Sequence, residues 1–374
     1  MNFDNKDEIF AQAIRFHKVN NFDMCIKILK KIHKYYPYDI KTLYYIARTY
    51  LDKKEYPKAI TYYSKLLRLN NSHLQAKFDL SYILLLKRDL LSGFEKFECR
   101  LEFSEYKQVL ENKYPTNIKE LKGKKVFIYI EQGYGDSLHF IRYIKYVELY
   151  AQSIEVLIQK PLYKLFKKNF KNVKFITKQN GDKADYDYIF PLLSLPFILG
   201  LDYFEPLKKY IFVKKKSTKK STSFINIGLC WQGENKNKRD RFRSFDIELF
   251  MSKIKELKLK SKKNFRFYSL QKDIRARNKM IKDVGMKFSN FYDTSMTIKS
   301  MDLIITVDTS VCHLAGALGI KTYLLLPYYS DWRWQDKKKK SDLYKSIRLF
   351  RQVKRDSWEE PLEKVVTKLK RLKY

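Results

Sequence analysis

Glycine and proline are scarce in this 374-residue sequence, at 11 and 9 residues. So few chain breakers exclude collagen-like and Gly/Pro-rich low-complexity classes. Cysteine is rarer still. Cys25, Cys99, Cys230 and Cys312 stand far apart, without zinc-type spacing or disulfide-scaffold density, and read as small core fillers in a reducing compartment. No uninterrupted apolar run approaches the roughly 20 residues that span a bilayer. Met1 to Phe10 is acidic and polar, with no basic start and no apolar centre, so no export signal is read there and a cytoplasmic location is expected. Acidic residues are also in deficit: 41 Asp and Glu face 77 Lys and Arg, a net charge of +36.

Such a charge suits nucleic acid, an anionic membrane surface or an anionic substrate. Yet the cations are mostly lysine, spread along the whole length, and asparagine, isoleucine and tyrosine are plentiful beside them. That pattern favours drift towards A/T-rich codons over dedicated polyanion binding. The aromatics are not interleaved with basic residues in a recognisable module, so no nucleic-acid partner is expected. Peripheral contact with the inner face of an anionic membrane stays open. Hydrophobic content of 45% and aromatic content of 16% are ample for packed cores, and the length suits two or three domains.

The first hundred residues repeat. Ala13, Ala47 and Ser81 recur at an interval of 34 residues, as do Cys25, Ala59 and Gly93. Phe22, Tyr56 and Leu90 keep the same interval, and so do Leu29, Tyr63 and Phe97. Small residues at fixed positions let paired helices approach, and large ones fill the groove between them. The array, about residues 5 to 106, resembles tetratricopeptide repeats, with Pro37 closing the first unit. It is either a spacer or dimerisation surface, or a concave groove for a peptide or partner protein.

After a polar stretch around Asn112 to Lys124, strands alternate with helices. Val126 to Ile130 is a strand, Glu131 to Asp136 a glycine-bearing turn, and Ser137 to Tyr150 an amphipathic helix. Ser153 to Ile158, Val173 to Ile176 and Tyr188 to Phe190 are further strands. Gly133 and Gly135 are expected to let the backbone bend sharply at the sheet edge. The turn lacks the dinucleotide fingerprint, so no NAD site is read. Asp136 is either a helix N-cap or a general base. Lys214 to Ser223 reads as a linker between two α/β domains, or an exposed loop within one. Phe224 to Trp231 opens a second sheet, followed by a loop carrying Arg239, Arg241 and Arg243. Ser244 precedes a helix from Ile247 to Leu257, and Phe265 to Leu270 is a strand with Gln271 and Lys272 at its end. Guanidinium groups at strand ends suit phosphate, and Arg243 is the favoured candidate.

Met301 to Pro327 organises the second half. It reads as a buried strand (Leu303 to Val307), a polar turn of Asp308, Thr309 and Ser310, a helix (Val311 to Leu318) and a second buried strand (Thr322 to Leu326). Two hydroxyls and free amides at a helix N-terminus make an anion site, unless those side chains merely cap the helix.

Together these pieces resemble bacterial proteins joining tetratricopeptide repeats to a GT-B glycosyltransferase of the heptosyltransferase-like type. The resemblance rests on Glu131 to Asp136 with Phe140 to Tyr143, Trp231 to Asn235, Arg241 to Ser244, Ser269 to Gln271, Val307 to Gly319 and Leu326 to Trp334. It implies an α plus α/β chain: repeats over 1–110, an acceptor-side Rossmann-like domain over 121–213, a nucleotide-sugar domain over 222–350, and a C-terminal helix over 351–374 packing back on the module. It further implies Asp136 as base, with Gly133, Gly135, His139 and Arg142 on the acceptor side. The donor would meet Trp231, Gly233, Arg243, Ser244, Gln271, Asp308, Thr309, Ser310 and His313. Of these, Thr309 and Ser310 would receive the diphosphate, Arg243 would be a cation on it, and His313 would face the sugar or be a core histidine. Trp332 and Trp334 carry no assigned role, with core packing the alternative. Glu234-Asn235-Lys236 departs from the usual pattern of that loop.

The activity so implied is inverting transfer from a nucleotide-sugar to an acceptor hydroxyl, with no cofactor or metal. No Asp-x-Asp pair sits at a strand end to hold one. The acceptor would be a protein presented by the repeats, such as flagellin or another surface protein. The alternatives are a glycan acceptor such as lipopolysaccharide core, or an inactive repeat-bearing scaffold.

Overall fold

The computed structural model describes residues 5–102, 114–178, 185–214, 224–233, 240–259 and 264–372. The chain forms two compact units, Met1–Glu111 with Gly200–Tyr203, and Asn112–Leu199 with Phe204–Tyr374.

The first unit is built of helix pairs: α1 (Lys6–Lys18) with α2 (Phe22–Tyr35), α3 (Ile40–Asp52) with α4 (Tyr56–Leu69), and α5 (Leu74–Lys87) with α6 (Leu90–Phe97). Side chains of Asn21, Asp39, His73 and Asp89 accept from first-turn amides and start four of these helices. Ala13, Ala47, Ser81, Cys25 and Ala59 are fully buried, as the repeat requires. A Cβ on Gly93 would sit 2.7 Å from Leu85 Cδ2, so that helix pair closes only over glycine. The turns share a feature that composition does not show. Asn20, Lys54 and Arg88 all adopt left-handed backbone, with φ of 60°, 60° and 70°. They too are spaced by 34, so one strained residue reverses the chain in each repeat.

The second unit holds two parallel sheets. In the first, β1 (Lys125–Tyr129), β2 (Ser153–Leu157), β3 (Lys174–Ile176) and β4 (Tyr188–Pro191) lie in the order β3-β2-β1-β4. In the second, β5 (Ile225–Cys230), β6 (Phe265–Ser269), β7 (Ile281–Asp283), β8 (Leu303–Val307), β9 (Thr322–Leu326) and β10 (Ile347–Arg351) lie in the order β10-β9-β8-β5-β6-β7. Every residue of β8 and β9 is buried, as two-sided cover by helices demands. The connecting helices are α7 (Tyr134–Phe140), α8 (Ile144–Val147), α9 (Lys160–Asn169), α10 (Leu195–Ile198), α11 (Asp240–Arg243), α12 (Ile247–Leu259), α13 (Phe291–Ile298), α14 (Ser310–Ala317) and α15 (Glu359–Lys370). Helical repeats followed by two Rossmann-like sheets is the tetratricopeptide plus GT-B arrangement.

Each sheet reverses direction once. The chain runs outward from β1 to β3 and returns on the far side of β1 as β4; it runs from β5 to β7 and returns beside β5 as β8. Ligands of open α/β sheets bind at the C-terminal strand ends where the order reverses. The ends of β1, β5 and β8 are therefore the places to look.

Two expectations need correction. The helix read from Ser137 to Tyr150 is broken into α7, a 3-10 turn at Ile141–Tyr143, and α8. At the break, Arg142 Nε donates to the His139 carbonyl at 2.9 Å, and residues 137–144 are buried on every side rather than along one stripe. The 351–374 segment does not begin as a helix, since Arg351 ends β10. Only α15 is helical, and its Leu362, Val365, Val366 and Leu369 join the core of the second sheet. The linker expected over Lys214 to Ser223 lies, beyond Lys214, outside the described residues.

Candidate active site

Where the chain leaves β1, Gly133 is the N-cap of α7, with φ −70° and ψ 170°. Neither Gly133 nor Gly135 has positive φ, so the sharp bend expected to require glycine is absent. Close approach is the reason instead for Gly135. A Cβ there would lie 3.0 Å from His313 Cδ2 and 3.7 Å from Ser310 Cα. Residue 135 thus brings the start of α7 directly against the start of α14. A Cβ at 133 would meet Asp136 Oδ2 at 3.7 Å, an ordinary contact. Asp136 is not the N-cap; as the third residue of α7, its carboxylate interacts with the backbone amides of Gly133 and Asp136.

That carboxylate is held from the other sheet. Arg333 Nη2 donates to Asp136 Oδ1 at 2.6 Å, Nη1 to Asp331 Oδ1 at 3.0 Å, and Nε to His139 Nδ1 at 3.1 Å. Because His139 Nδ1 accepts, the ring is neutral with its proton on Nε2. Burial pushes the Asp136 carboxyl above the usual range, Asp331 adds to this, and Arg333 pulls the other way. His139 is fully buried and stacks on His313 with ring centres 5.7 Å apart.

On the donor side, Trp231 follows directly on β5 and is buried in the sheet's core. Gln271 Oε1 accepts from the Trp231 and Gln232 amides at 3.0 and 3.2 Å, tying the ends of β5 and β6 together. Asp240, buried at the start of α11, is the hub of the next turn. It accepts from the Gly233 amide at 3.0 Å, Arg243 Nε at 2.6 Å and the Ser244 hydroxyl at 2.7 Å. A Cβ on Gly233 would lie 2.2 Å from Asp240 Oδ1 and 2.4 Å from Arg243 Nη2, so a larger residue would displace that ion pair. Arg243 Nη1 reaches the Asp308 carbonyl at 2.8 Å, which fixes the guanidinium beside the β8 turn while its side chain stays 27% exposed. Glu234, Asn235, Lys236 and Arg239 lie outside the described residues, as does the side chain of Arg241.

At the end of β8, Thr309 is the N-cap of α14, yet its hydroxyl makes no capping bond to the helix. Thr309 Oγ1 instead lies 3.4 Å from Thr306 Oγ1 and 3.6 Å from Cys230 Sγ. Simple capping does not account for this turn. Ser310 is half-buried at the first helical position. Burial and the neighbouring Asp331 push the Asp308 carboxyl up to about 6, with Trp334, Arg243 and Arg333 opposing. His313 meets Tyr344 Oη through Nδ1 at 2.9 Å and stacks on Trp334 at 5.5 Å. Burial first, then Arg333 and Arg142, hold it well below the ordinary histidine pKa, so it is neutral.

The structure therefore brings together Gly135, Asp136, His139, Ser310 and His313, and sets Arg243 beside Asp308. Arg142 is enclosed by its partners. It is 4% exposed, donates to the Leu343 carbonyl at 3.0 Å and Tyr210 Oη at 3.3 Å, and lies over the rings of Tyr210 and Tyr344. It is a clamp between the two sheets' connections. Trp332 and Trp334 are buried, and Trp332 walls Arg333, whose guanidinium carbon lies 4.6 Å from its ring centre. Two residues with central roles, Arg333 and Asp240, were not singled out from sequence. Arg333 stood unassigned between two tryptophans. For Asp240 the signal was present, an acid three and four residues before Arg243 and Ser244.

No family model and no curated protein matches the sequence. Among solved structures, the chain is similar to the iron-containing dodecameric glycosyltransferase TibC from enterotoxigenic E. coli, at 13% identity over 67% of this chain and 80% of that one, with a TM-score of 0.45. It is also similar to a mutant of the O-GlcNAc transferase of Thermobaculum terrenum, at 9% identity over 98% and 89% of the two chains and a TM-score of 0.36. MamA matches 26% of this chain at 18% identity with a TM-score of 0.25, and that match spans 54% of MamA. These likenesses are too distant to carry an activity from one chain to another.

Proposed function

We propose that this chain is an inverting, metal-independent glycosyltransferase that moves a sugar from a nucleotide-sugar to an acceptor hydroxyl. The observation that carries the reading is the contact of Gly135, the residue before Asp136 after the end of β1, with His313 and Ser310 at the uncapped start of α14. A carboxylate then lies one residue from direct contact with an anion-favouring helix end, each just after a strand at which its sheet reverses. Asp136 takes the proton of the attacking hydroxyl. The α14 amides, Ser310, Thr309 and Arg243 stabilise the charge growing on the departing nucleoside diphosphate. His313, being neutral, faces the donor without adding charge.

The acceptor in this reading is a protein engaged by the helical repeats. Their surface holds an open groove of about 640 Å³ lined by Tyr38, Ile40, Lys41, Tyr44, Tyr45 and His73, a size and chemistry suited to a peptide segment. The chain would act in the cytoplasm, before its acceptor is exported.

The test is Asp136→Asn. Calorimetry against UDP-, GDP- and ADP-sugars identifies the donor, and mass spectrometry of co-expressed proteins and glycolipids identifies the product. The variant should bind donor within about twofold of the parent and lose transfer by about 10² to 10⁴-fold. Normal turnover in the variant would remove Asp136 as base. A sugar found only on a glycolipid would replace the protein acceptor.

A further inference from the structure

Arg333 joins the two halves of the candidate site through one planar group. Two of its N–H directions go to one face of α7: Nη2 to Asp136 at 2.6 Å and Nε to His139 at 3.1 Å, residues spaced i and i+3. The third goes to Asp331 in its own turn at 3.0 Å. Arg333 is 7% exposed, with Phe140 and Trp332 rings near its guanidinium at 5.4 and 4.6 Å. A guanidinium so enclosed has little freedom, so it transmits direction as well as charge. It meets Asp136 through Oδ1, while Oδ2 lies on the Gly133 side, 3.7 Å from where a Cβ on that residue would be, and the backbone amides of Gly133 and Asp136 help to hold the carboxylate in its charged form.

We propose that Arg333 is the positioning residue of the transfer: from the donor-side sheet it grips Oδ1 of Asp136 and presents Oδ2 to the acceptor hydroxyl. The inference rests on the transferase reading and names a group that reading does not use. Its consequence is that the base is aimed only when the two sheets are docked, so donor-side structure governs acceptor-side chemistry.

Among the described residues, the charged and titratable groups around Asp136 are few. Arg333 and Asp331 face it from the 3-10 turn Trp332–Trp334 and the residue before it, and His313 of α14 lies against the neighbouring Gly135. His139 and Arg142 follow along its own chain segment, and the Tyr210 hydroxyl reaches the Leu138 carbonyl at 2.6 Å. Asp308 belongs to the same cluster through its interaction with Arg333. The turn Leu192–Ser194, also packed on α7, brings no ionisable side chain. Of these, Arg333 is the permanent cation that directly bonds the carboxylate.

The experiment is a pH titration of the full chain labelled at aspartate carboxyl carbons, with the Asp136 resonance assigned by Asp136→Asn. In Arg333→Gln the Asp136 midpoint should rise by about one to three pH units, because the opposing cation is gone. Arg333→Lys keeps the charge but not the fork. Its Asp136 midpoint should stay near the parent's, while kcat on the donor found above falls at least tenfold with donor KM unchanged. Near-UV circular dichroism checks that each variant is folded; if Arg333→Gln is not, Arg333→Lys decides. An unmoved midpoint in folded Arg333→Gln, or parental kcat in Arg333→Lys, overturns the inference. Failure of the transferase reading is a separate event: it appears as no donor bound and no product formed by the parent chain, whatever Arg333 does to the titration.

Discussion

Gly135 and His313 touch across the two sheets of the second unit, with 3.0 Å between the position of a Cβ on residue 135 and His313 Cδ2. His313 cannot retreat easily, because it is stacked between His139 and Trp334 and tied to Tyr344. The Gly135→Ala substitution should therefore part the α7 and α14 starts and destabilise the chain by about 1–3 kcal/mol. Urea unfolding checks the loss, and an unchanged midpoint would show that the contact yields without cost.

Arg243 is set by Asp240 and by the Asp308 carbonyl, so its charge is aimed before any ligand arrives. Arg243→Ala should weaken binding of the donor by about 10- to 100-fold, the worth of charge-assisted hydrogen bonds. Arg243→Lys should recover only part of this, since a lysine lacks the paired donors. Calorimetry with the nucleotide-sugar panel measures both, and parental affinity in Arg243→Ala would take the residue out of the site.

Asp308 makes stability depend on pH. Its carboxyl titrates near 6 in the folded chain, above the ordinary value of about 4, so the native state holds a proton that the unfolded chain has released. The contribution is fully present below about pH 4, falls as pH rises towards 6, and is flat above that. Asp308→Asn should remove this slope and be no less stable than the parent at pH 7. Thermal unfolding across pH 4 to 7 reads the difference between the two chains.

In the repeats, Asp79 is a 4% exposed carboxylate that accepts from Tyr63 Oη at 2.9 Å, Gln75 Nε2 at 2.9 Å, Tyr44 Oη at 3.1 Å and Arg48 Nη1 at 3.5 Å. Asp79→Ala leaves buried donors and a partly buried cation without their acceptor, and should cost about 3–5 kcal/mol. Limited proteolysis of the full chain should then cut first within the repeats. Cleavage kinetics equal to the parent's would mean that water replaces the carboxylate.

Elements with a strong local signal were legible from sequence. The 34-residue interval marked the helix pairs because small and large residues must alternate wherever two helices meet. The bounds of β8 and β9 followed from runs of apolar residues too short for helices and buried on both faces. That chemistry gathers at the ends of β1, β5 and β8 was also readable, since glycine, hydroxyl and arginine residues cluster just after those strands. The edge strands β7 and β10 were missed, being short or polar on one face.

By itself, then, the sequence determined the repeats, the two sheets and the turns that could carry a site, because each is written in spacing that neighbouring residues enforce. Tertiary structure alone decided that Arg333 meets Asp136 from 197 residues away, that Gly135 is needed for contact and not for bending, and that Arg142 is a clamp. Those facts depend on how two separately wound sheets dock. No local periodicity encodes the distance between side chains that only the docked sheets bring together.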